Sequence, residues 1–226
     1  QPIPSGLPRN IEQCLNDYNI PLYLSHTVTE IHGDSRLTGV TVAQVDEHFK
    51  PIPGTEKEYQ CDTLILSVGL IPENELSIDA GVTLDNRTRG AVVDEHFQTN
   101  IDGIFAAGNV LHVHDLVDFV SMEAEKLADS AARYIQDEAL EECSVEIVTD
   151  GNIGHTIPQK ISGEQDVTLS MRVRKLIKDC RIVVRQGGKE IGAKKMKKAL
   201  PAEMIQIAIK ADKFISKDAV EVSVEC

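Results

Sequence analysis

Apolar and polar residues repeat along this chain with two different periods, and the period changes near residue 144. Ahead of that point helical and extended patterns are mixed. "RNIEQCLNDYN" (9–19) sets Ile11, Cys14, Leu15 and Tyr18 at helical spacing. It predicts a short helix with Asn10 as N-cap. "IPLYLSHTVTEIHG" (20–33) and "RLTGVTVAQVD" (36–46) alternate around a Gly33-Asp34 turn and predict a β-hairpin. "YQCDTLILSVG" (59–69) carries an unbroken apolar run from Thr63 to Val68. Such a run predicts a strand buried on both faces, as in a parallel sheet. A short helix is expected after Pro72, small extended pieces around "GVTLD" and "AVVDEHFQT", and a short apolar strand over "GIFAAGN" (103–109). "DFVSMEAEKLADSAARYIQDEAL" (118–140) is the strongest helical stretch, with Phe119, Ala124, Leu127, Ala128, Ala131, Tyr134 and Ile135 on one stripe.

Beyond residue 144 the period becomes two. "SVEIV", "DVTLSMRVRKL", "CRIVVRQGGKEIGAKKM", "EMIQIAIKA" and "AVEVSVEC" alternate, and Gln186-Gly187-Gly188-Lys189 is a hairpin-turn signal. This half predicts an all-β module of about six or seven strands, of sandwich type. Two modules are therefore expected, 1–142 of α/β character and 143–226 all-β.

Charge follows the same division. Residues 1–150 hold 8 Lys and Arg against 27 Asp and Glu, whereas residues 151–226 hold 15 against 9. The basic tail raises the question of nucleic acid. Its cations alternate with apolar residues, however, and Phe214 is its one aromatic ring. A solvated strand face is the expected reading, with no nucleic-acid partner. "KKMKK" (194–198) is read the same way. No apolar run reaches the ~20 residues of a membrane-spanning helix. Five widely spaced cysteines form no CxxC pair, which fits scattered reduced thiols in a cytoplasmic protein. A chain opening on "QPIPSGLPRN", with Gln1 rather than Met, is expected to be part of something longer.

Candidate chemistry concentrates in "FAAGNVLHVHDLVD" (105–118). His112, His114, Asp115 and Asp118 invite a metal reading. No other ligand motif stands near them, and an extended segment would turn Asp115 away from the two histidines. No metal is expected. The competing reading is a strand that ends at a ligand: Gly108 lets backbone approach closely, and Asn109 can both donate and accept a hydrogen bond. A phosphate-cradling turn is a separate question. No two of the 15 glycines are separated by a single residue, so the chain contains no G-x-G-x-x-G.

"CDTLILSVGLIPENEL", "TNIDGIFAAGNVLHVHDLVD" and the alanine-rich helix after them together resemble the C-terminal part of FAD- and NAD(P)-dependent pyridine nucleotide-disulfide oxidoreductases. Ser67-Val68-Gly69-Leu70-Ile71-Pro72 is similar to the segment closing the family's NAD(P) domain. Thr99, Gly103, Ile104, Phe105, Ala106, Gly108 and Asn109 are similar to the segment that returns the chain to the flavin. The family usually has Asp where this chain has Asn109. The likeness covers about residues 7–138, and its narrower form is to uncharacterised dehydrogenases linked to anaerobic glycerol-3-phosphate metabolism.

The resemblance implies partial Rossmann-like FAD- and NAD(P)-binding domains. It implies FAD and NAD(P) as cofactors and a partner dehydrogenase subunit or second acceptor. Gly108, Asn109 and the backbone of Val117 and Asp118 would face the flavin. No side chain is implied as catalytic. Asn109 as a plain turn residue and Asp118 as a plain N-cap remain open, as does a non-enzymatic assembly module with a docking sandwich.

Overall fold

The computed structural model describes residues 8–226, which divide into two compact units, one up to Gly69 and one from Leu70 to Cys226. The first unit opens with helix α1 (Pro8–Ile11), which continues as a π-helical turn over Glu12–Asn16. Asn10 lies inside α1 and is not its cap. Three strands follow, β1 (His26–His32), β2 (Gly39–Gln44) and β3 (Lys57–Gln60), in an antiparallel sheet ordered β1-β2-β3. The expected hairpin is present, with Val28 opposite Val42 and a bulge before Glu30.

The expected strand over 59–69 ends at Gln60. Residues 61–69 form no ladder, and Ile65 is 86% and Val68 88% exposed. A doubly buried strand needs a neighbour on each edge and a layer on each face. Among the described residues this run has none of these, so its apolar side chains stand in solvent.

The second unit begins with α2 (Glu75–Asp79), the helix expected after Pro72. Irregular, turn-rich chain leads from it to α3 (Val117–Ile135). "GIFAAGN" is extended but forms only an isolated bridge, Phe105 to Gln98, followed by a 3-10 turn over Gly108–Val110. The Thr-x-x-x-Gly turn before it closes on itself: the Ile101 N–H donates to Thr99 Oγ1 and the Thr99 N–H to the Ile104 carbonyl. Gly103 has φ +75°, and a Cβ there would come within 3.0 Å of the Tyr134 hydroxyl. The positive φ is what favours glycine at that position, and a Cβ would in addition press on the Tyr134 ring.

Eight strands complete the chain: β4 (Val145–Thr149), β5 (Ile153–Ile157), β6 (Lys160–Ile161), β7 (Val167–Val173), β8 (Ile177–Gln186), β9 (Lys189–Ala199), β10 (Ile205–Ile209) and β11 (Val220–Glu225). They form a sheet ordered β10-β7-β5 and a sheet ordered β6-β4-β11-β8-β9. Pairing is antiparallel except between β11 and β4. Alternate residues of both sheets share one apolar core that includes Leu169, Met171, Ile182, Val184, Ile205 and Val222. The β8–β9 hairpin turns at Gly187 and Gly188, with φ of +55° and +76°, as the doubled glycine requires. β5 and β6 escape the sequence pattern, because "IGHTIPQKI" does not alternate cleanly. Lys194, Lys195, Lys197 and Lys198 lie exposed along β9. The architecture is mixed α/β, dominated by sheets, and no described helix is long and apolar enough to cross a membrane.

Candidate functional site

The stretch 105–118 packs against α3 through one buried carboxylate. Glu123, two turns into the helix, is 7% exposed. Its Oε2 accepts the Gly108 N–H at 2.5 Å and its Oε1 lies 2.9 Å from His112 Nε2. His114 Nε2 stands 3.5 Å from the same oxygen. One helical side chain thus fixes both ends of the Gly108–His114 loop. Burial alone would raise the Glu123 carboxyl, but the hydrogen bonds from His112, His114 and Gly108 prevail and hold it at about 2.

Burial lowers the pKa of His112, against the pull of Glu123, so the ring is neutral. With Nε2–H donated to Glu123, His112 Nδ1 is left as a lone pair, and it has no partner. The His112 ring also meets His114 and His155, at centroid distances of 4.3 and 5.6 Å. His155 is held down to about 4, first by burial and then by its neighbours His112 and Arg172. Arg172 reaches the same loop, donating to the Val113 carbonyl at 3.0 Å and to Asp115 at 3.1 Å. Arg87, His112, His114, His155 and Arg172 line a common cleft.

The backbone of this loop is pinned from a second side. Gly90 sits so close to Leu111 that a Cβ would lie 1.7 Å from the Leu111 carbonyl oxygen. Buried Asn74 donates from one amide nitrogen to the Arg89 carbonyl at 3.0 Å and to the Val110 carbonyl at 2.8 Å.

The four residues expected to contact a cofactor divide by exposure. Gly108 is buried, with φ +74°. Asn109, Val117 and Asp118 are exposed. Asn109 Oδ1 accepts the His114 N–H at 3.1 Å, so the residue does act within its turn, while its amide N–H groups stay free. Asp118 is inside α3. The residue at the N-cap is Leu116, extended and without a side-chain cap. The first N–H groups of a 19-residue helix are therefore left to solvent or to a ligand. The arrangement is a rigid loop and an uncapped helix end, which together offer hydrogen-bond donors to an electron-rich group.

Sequence reasoning missed Glu123. It belongs to a helix rich in Glu, Lys and Asp, and nothing in the 3.6-residue pattern marks one carboxylate as buried. The expected apolar stripe of α3 is rotated for the same reason: Ala124, Ala128 and Ile135 are exposed, while Glu123 and Ser130 are the buried members.

The family model for pyridine nucleotide-disulphide oxidoreductases matches residues 3–133. Among curated relatives, thioredoxin reductase of Listeria monocytogenes is 31% identical over 100 residues, which is 44% of this chain and 29% of that protein. The glutamate synthase [NADPH] small chain of Bacillus subtilis is 33% identical over 89 residues, 38% of this chain and 18% of that one. Among solved structures, thioredoxin reductase of T. acidophilum aligns over 53% of this chain and 38% of its own, at 32% identity and a TM-score of 0.46. The matched part of the chain spans less than a third of the length of these curated relatives. With more than half of its residues inside the family model, the chain belongs to the pyridine nucleotide-disulphide oxidoreductase family.

Proposed function

We propose that the chain is the C-terminal part of a flavin-dependent oxidoreductase that passes hydride or electrons between NAD(P)H, FAD and a second acceptor or partner dehydrogenase subunit. The observation that carries this reading is the uncapped, exposed N-terminus of α3 beside the Gly108–Asn109 turn, with Glu123 locking the two together. Residues 1–142 would be the partial NAD(P)/FAD-binding, Rossmann-like region and 143–226 a β-sandwich-like module. The exposed apolar run Ile65, Leu66 and Val68 supports a longer protein, because such a run is stable in a sheet it does not have here. The narrower kinship to uncharacterised dehydrogenases linked to anaerobic glycerol-3-phosphate metabolism, and a cytoplasmic location, belong to the same reading. Five free cysteines suit that compartment.

The residues present fit a flavin edge. Free N–H groups at Val117 and Asp118 suit the pyrimidine side of the ring, which gains negative charge on reduction. Asn109 keeps its amide donors, and a second lone pair on Oδ1, for a ribityl hydroxyl. Gly108 brings backbone close without a Cβ. The flavin would supply the hydride chemistry. The chain's own part is to hold the loop still: Glu123 fixes the His112 ring with its Nδ1 lone pair free, and Asn74 fixes the backbone at Val110.

Two measurements test this. The reading frame upstream of residue 1 should encode two G-x-G-x-x-G turns, and the complete protein should purify with flavin that NAD(P)H bleaches. FAD titrated into the chain alone should bind weakly or not at all, since it lacks both phosphate turns. Saturable micromolar binding with a shifted flavin spectrum would refute the fragment reading, and a complete protein without flavin would refute the function.

A further inference from the structure

A second group of buried polar side chains lies away from the flavin-facing loop. Glu95 and His96 sit in the turn whose Asp94 carboxylate accepts the His96 and Gln98 N–H groups. Cys143 belongs to the segment between α3 and β4. A carboxylate oxygen of Glu95, an imidazole nitrogen of His96 and the Cys143 sulfur all lie within 4.8 Å of one another. The Glu95 and His96 side chains are each 3% exposed. His96 Nε2 is 3.3 Å from Glu141 Oε2 and 4.0 Å from Glu95 Oε1.

The two oxygens of Glu95 are treated differently. Oε1 accepts Ser162 Oγ–H and, at 2.9 Å, Gln165 Nε2–H. Oε2 is buried without a hydrogen-bond partner, and His96 Nε2 likewise makes no hydrogen bond, with Glu141 Oε2 at 3.3 Å. Native interiors rarely leave two such atoms unsatisfied side by side, and where they do an ion or water is the usual explanation. The contrast with Glu123 is direct, because both of its oxygens are occupied by hydrogen bonds. In the Glu123 group the unpartnered atoms are the Nδ1 of His112 and of His114, and the carboxylate itself is satisfied. In the Glu95 group the carboxylate is itself among the unpartnered atoms.

Glu141 places a second carboxylate beside His96. A divalent cation would neutralise the carboxylates gathered here, and a coordinating thiol gives up its proton to the ion.

We propose that Glu95, His96 and Cys143 form a Zn2+ site, with the fourth position left to water. A thiolate, an imidazole and a carboxylate oxygen together suit zinc, whereas calcium and magnesium favour all-oxygen shells. Zinc bonds of ~2.0–2.3 Å set tetrahedral donors about 3.3–3.8 Å apart, and the three donors here lie within 4.8 Å of one another. Ser162 and Gln165 are the outer shell that orients the Glu95 ligand. Binding exchanges the S–H bond of Cys143 for a sulfur–zinc bond and releases that proton to solvent. The ion would clamp the 94–96 turn to the segment joining α3 to the strand module, a structural role in a chain whose sequence pattern predicts no metal. This inference does not rest on the flavin reading.

The test uses the purified chain, stripped with a chelator and then given Zn2+ or Co2+ alone. One zinc per chain should survive desalting, and the unfolding temperature should rise with zinc concentration. The Co2+ form should show thiolate-to-metal charge transfer in the near ultraviolet. Cys143→Ser should abolish that band and His96→Ala should lose the ion. Glu95→Gln, which keeps the shape of the side chain, should weaken zinc by at least the roughly tenfold typical of outer-shell partners. His114→Ala should bind zinc as before. Circular dichroism confirms that each variant folds, and if Cys143→Ser does not, Glu95→Gln decides. The proposal is overturned if no charge-transfer band appears, if the band persists in Cys143→Ser, or if His114→Ala rather than His96→Ala loses the ion.

Discussion

Two regions of the second unit are stabilised by different means. The strand region from Val145 onward buries 19 apolar or thiol side chains in one core drawn from both of its sheets. The loop-and-helix region before it has a core of only six, five of them its own, Val82, Ala91, Val93, Phe97 and Leu111, with Ile157 contributed by β5. What it buries in addition is polar: Asn74, His96, His112, Glu123 and Ser130. Apolar burial is non-directional and tolerates repacking, whereas a buried polar group fixes its partner's position because leaving it unpaired is costly. Precision at the Gly108–His114 loop therefore comes from the region with less apolar core.

The largest effect is expected in the strand core. Leu169→Ala, at a fully buried position of β7, should cost about 2–5 kcal/mol of stability. The loss should extend to the loop. Arg172 of β7 holds Val113 and Asp115, and the Gln159 side chain holds the Val93 N–H, so the polar region borrows its anchor from the strands. Hydrogen exchange should therefore quicken at β7 and at Gly108 together. If Gly108 stays as protected as in the parent chain, the two regions open separately and that dependence is wrong.

Glu123→Ala reverses the direction. It leaves the Gly108 N–H and the His112 ring without their acceptor, at a cost of about 3 kcal/mol. Exchange should quicken at Gly108 and leave the β7 and β8 amides protected. The parent also carries a pH signature. The Glu123 carboxyl titrates near 4.5 when unfolded and at about 2 when folded. A depressed folded value means that the stabilisation is fully present above pH 4.5 and is lost as pH falls toward 2. The amount is on the order of 3 kcal/mol. Urea unfolding followed across that window should show a steep acid limb in the parent and a shallow one in Glu123→Ala. Equal limbs would mean that the carboxylate is not the group holding the loop.

The same contrast explains what the sequence made legible. Alternation located β4, β7, β8, β9, β10 and β11, and the doubled glycine placed the β8–β9 turn, since each strand meets a dry core on one face. The "GIFAAGN" segment was found by its residues, though its extended form rests on a single bridge rather than on a ladder. The apolar run Thr63–Val68 misled, because periodicity reports what a segment would bury and not whether a partner is at hand. Glu123, Asn74 and the pairing of Glu95 and His96 with Cys143 were invisible, since their partners lie 9 to 48 positions away in the chain and no local pattern encodes such pairings. Gly90 was equally silent. Its requirement comes from the Leu111 carbonyl and not from its neighbours in sequence.

The smallest effect is expected at Asn109, and it separates a turn residue from a cofactor contact. Asn109→Ala removes the acceptor of the His114 N–H at an exposed position, so the isolated chain should lose only about 0.5–1 kcal/mol. Asn109→Asp keeps that acceptor and should leave stability within about 0.5 kcal/mol of the parent, as for most surface substitutions. If Asn109 serves the turn alone, the same ranking should hold in the complete protein, with flavin retention unchanged in both variants. If it also faces the flavin, Asn109→Ala should release flavin on dilution well before Asn109→Asp, since an oxygen at this position can still accept from a ribityl hydroxyl while a methyl group cannot. Flavin fluorescence recovered after dilution measures the difference, and a gap wider than a stability loss of about 0.5–1 kcal/mol explains belongs to the flavin contact.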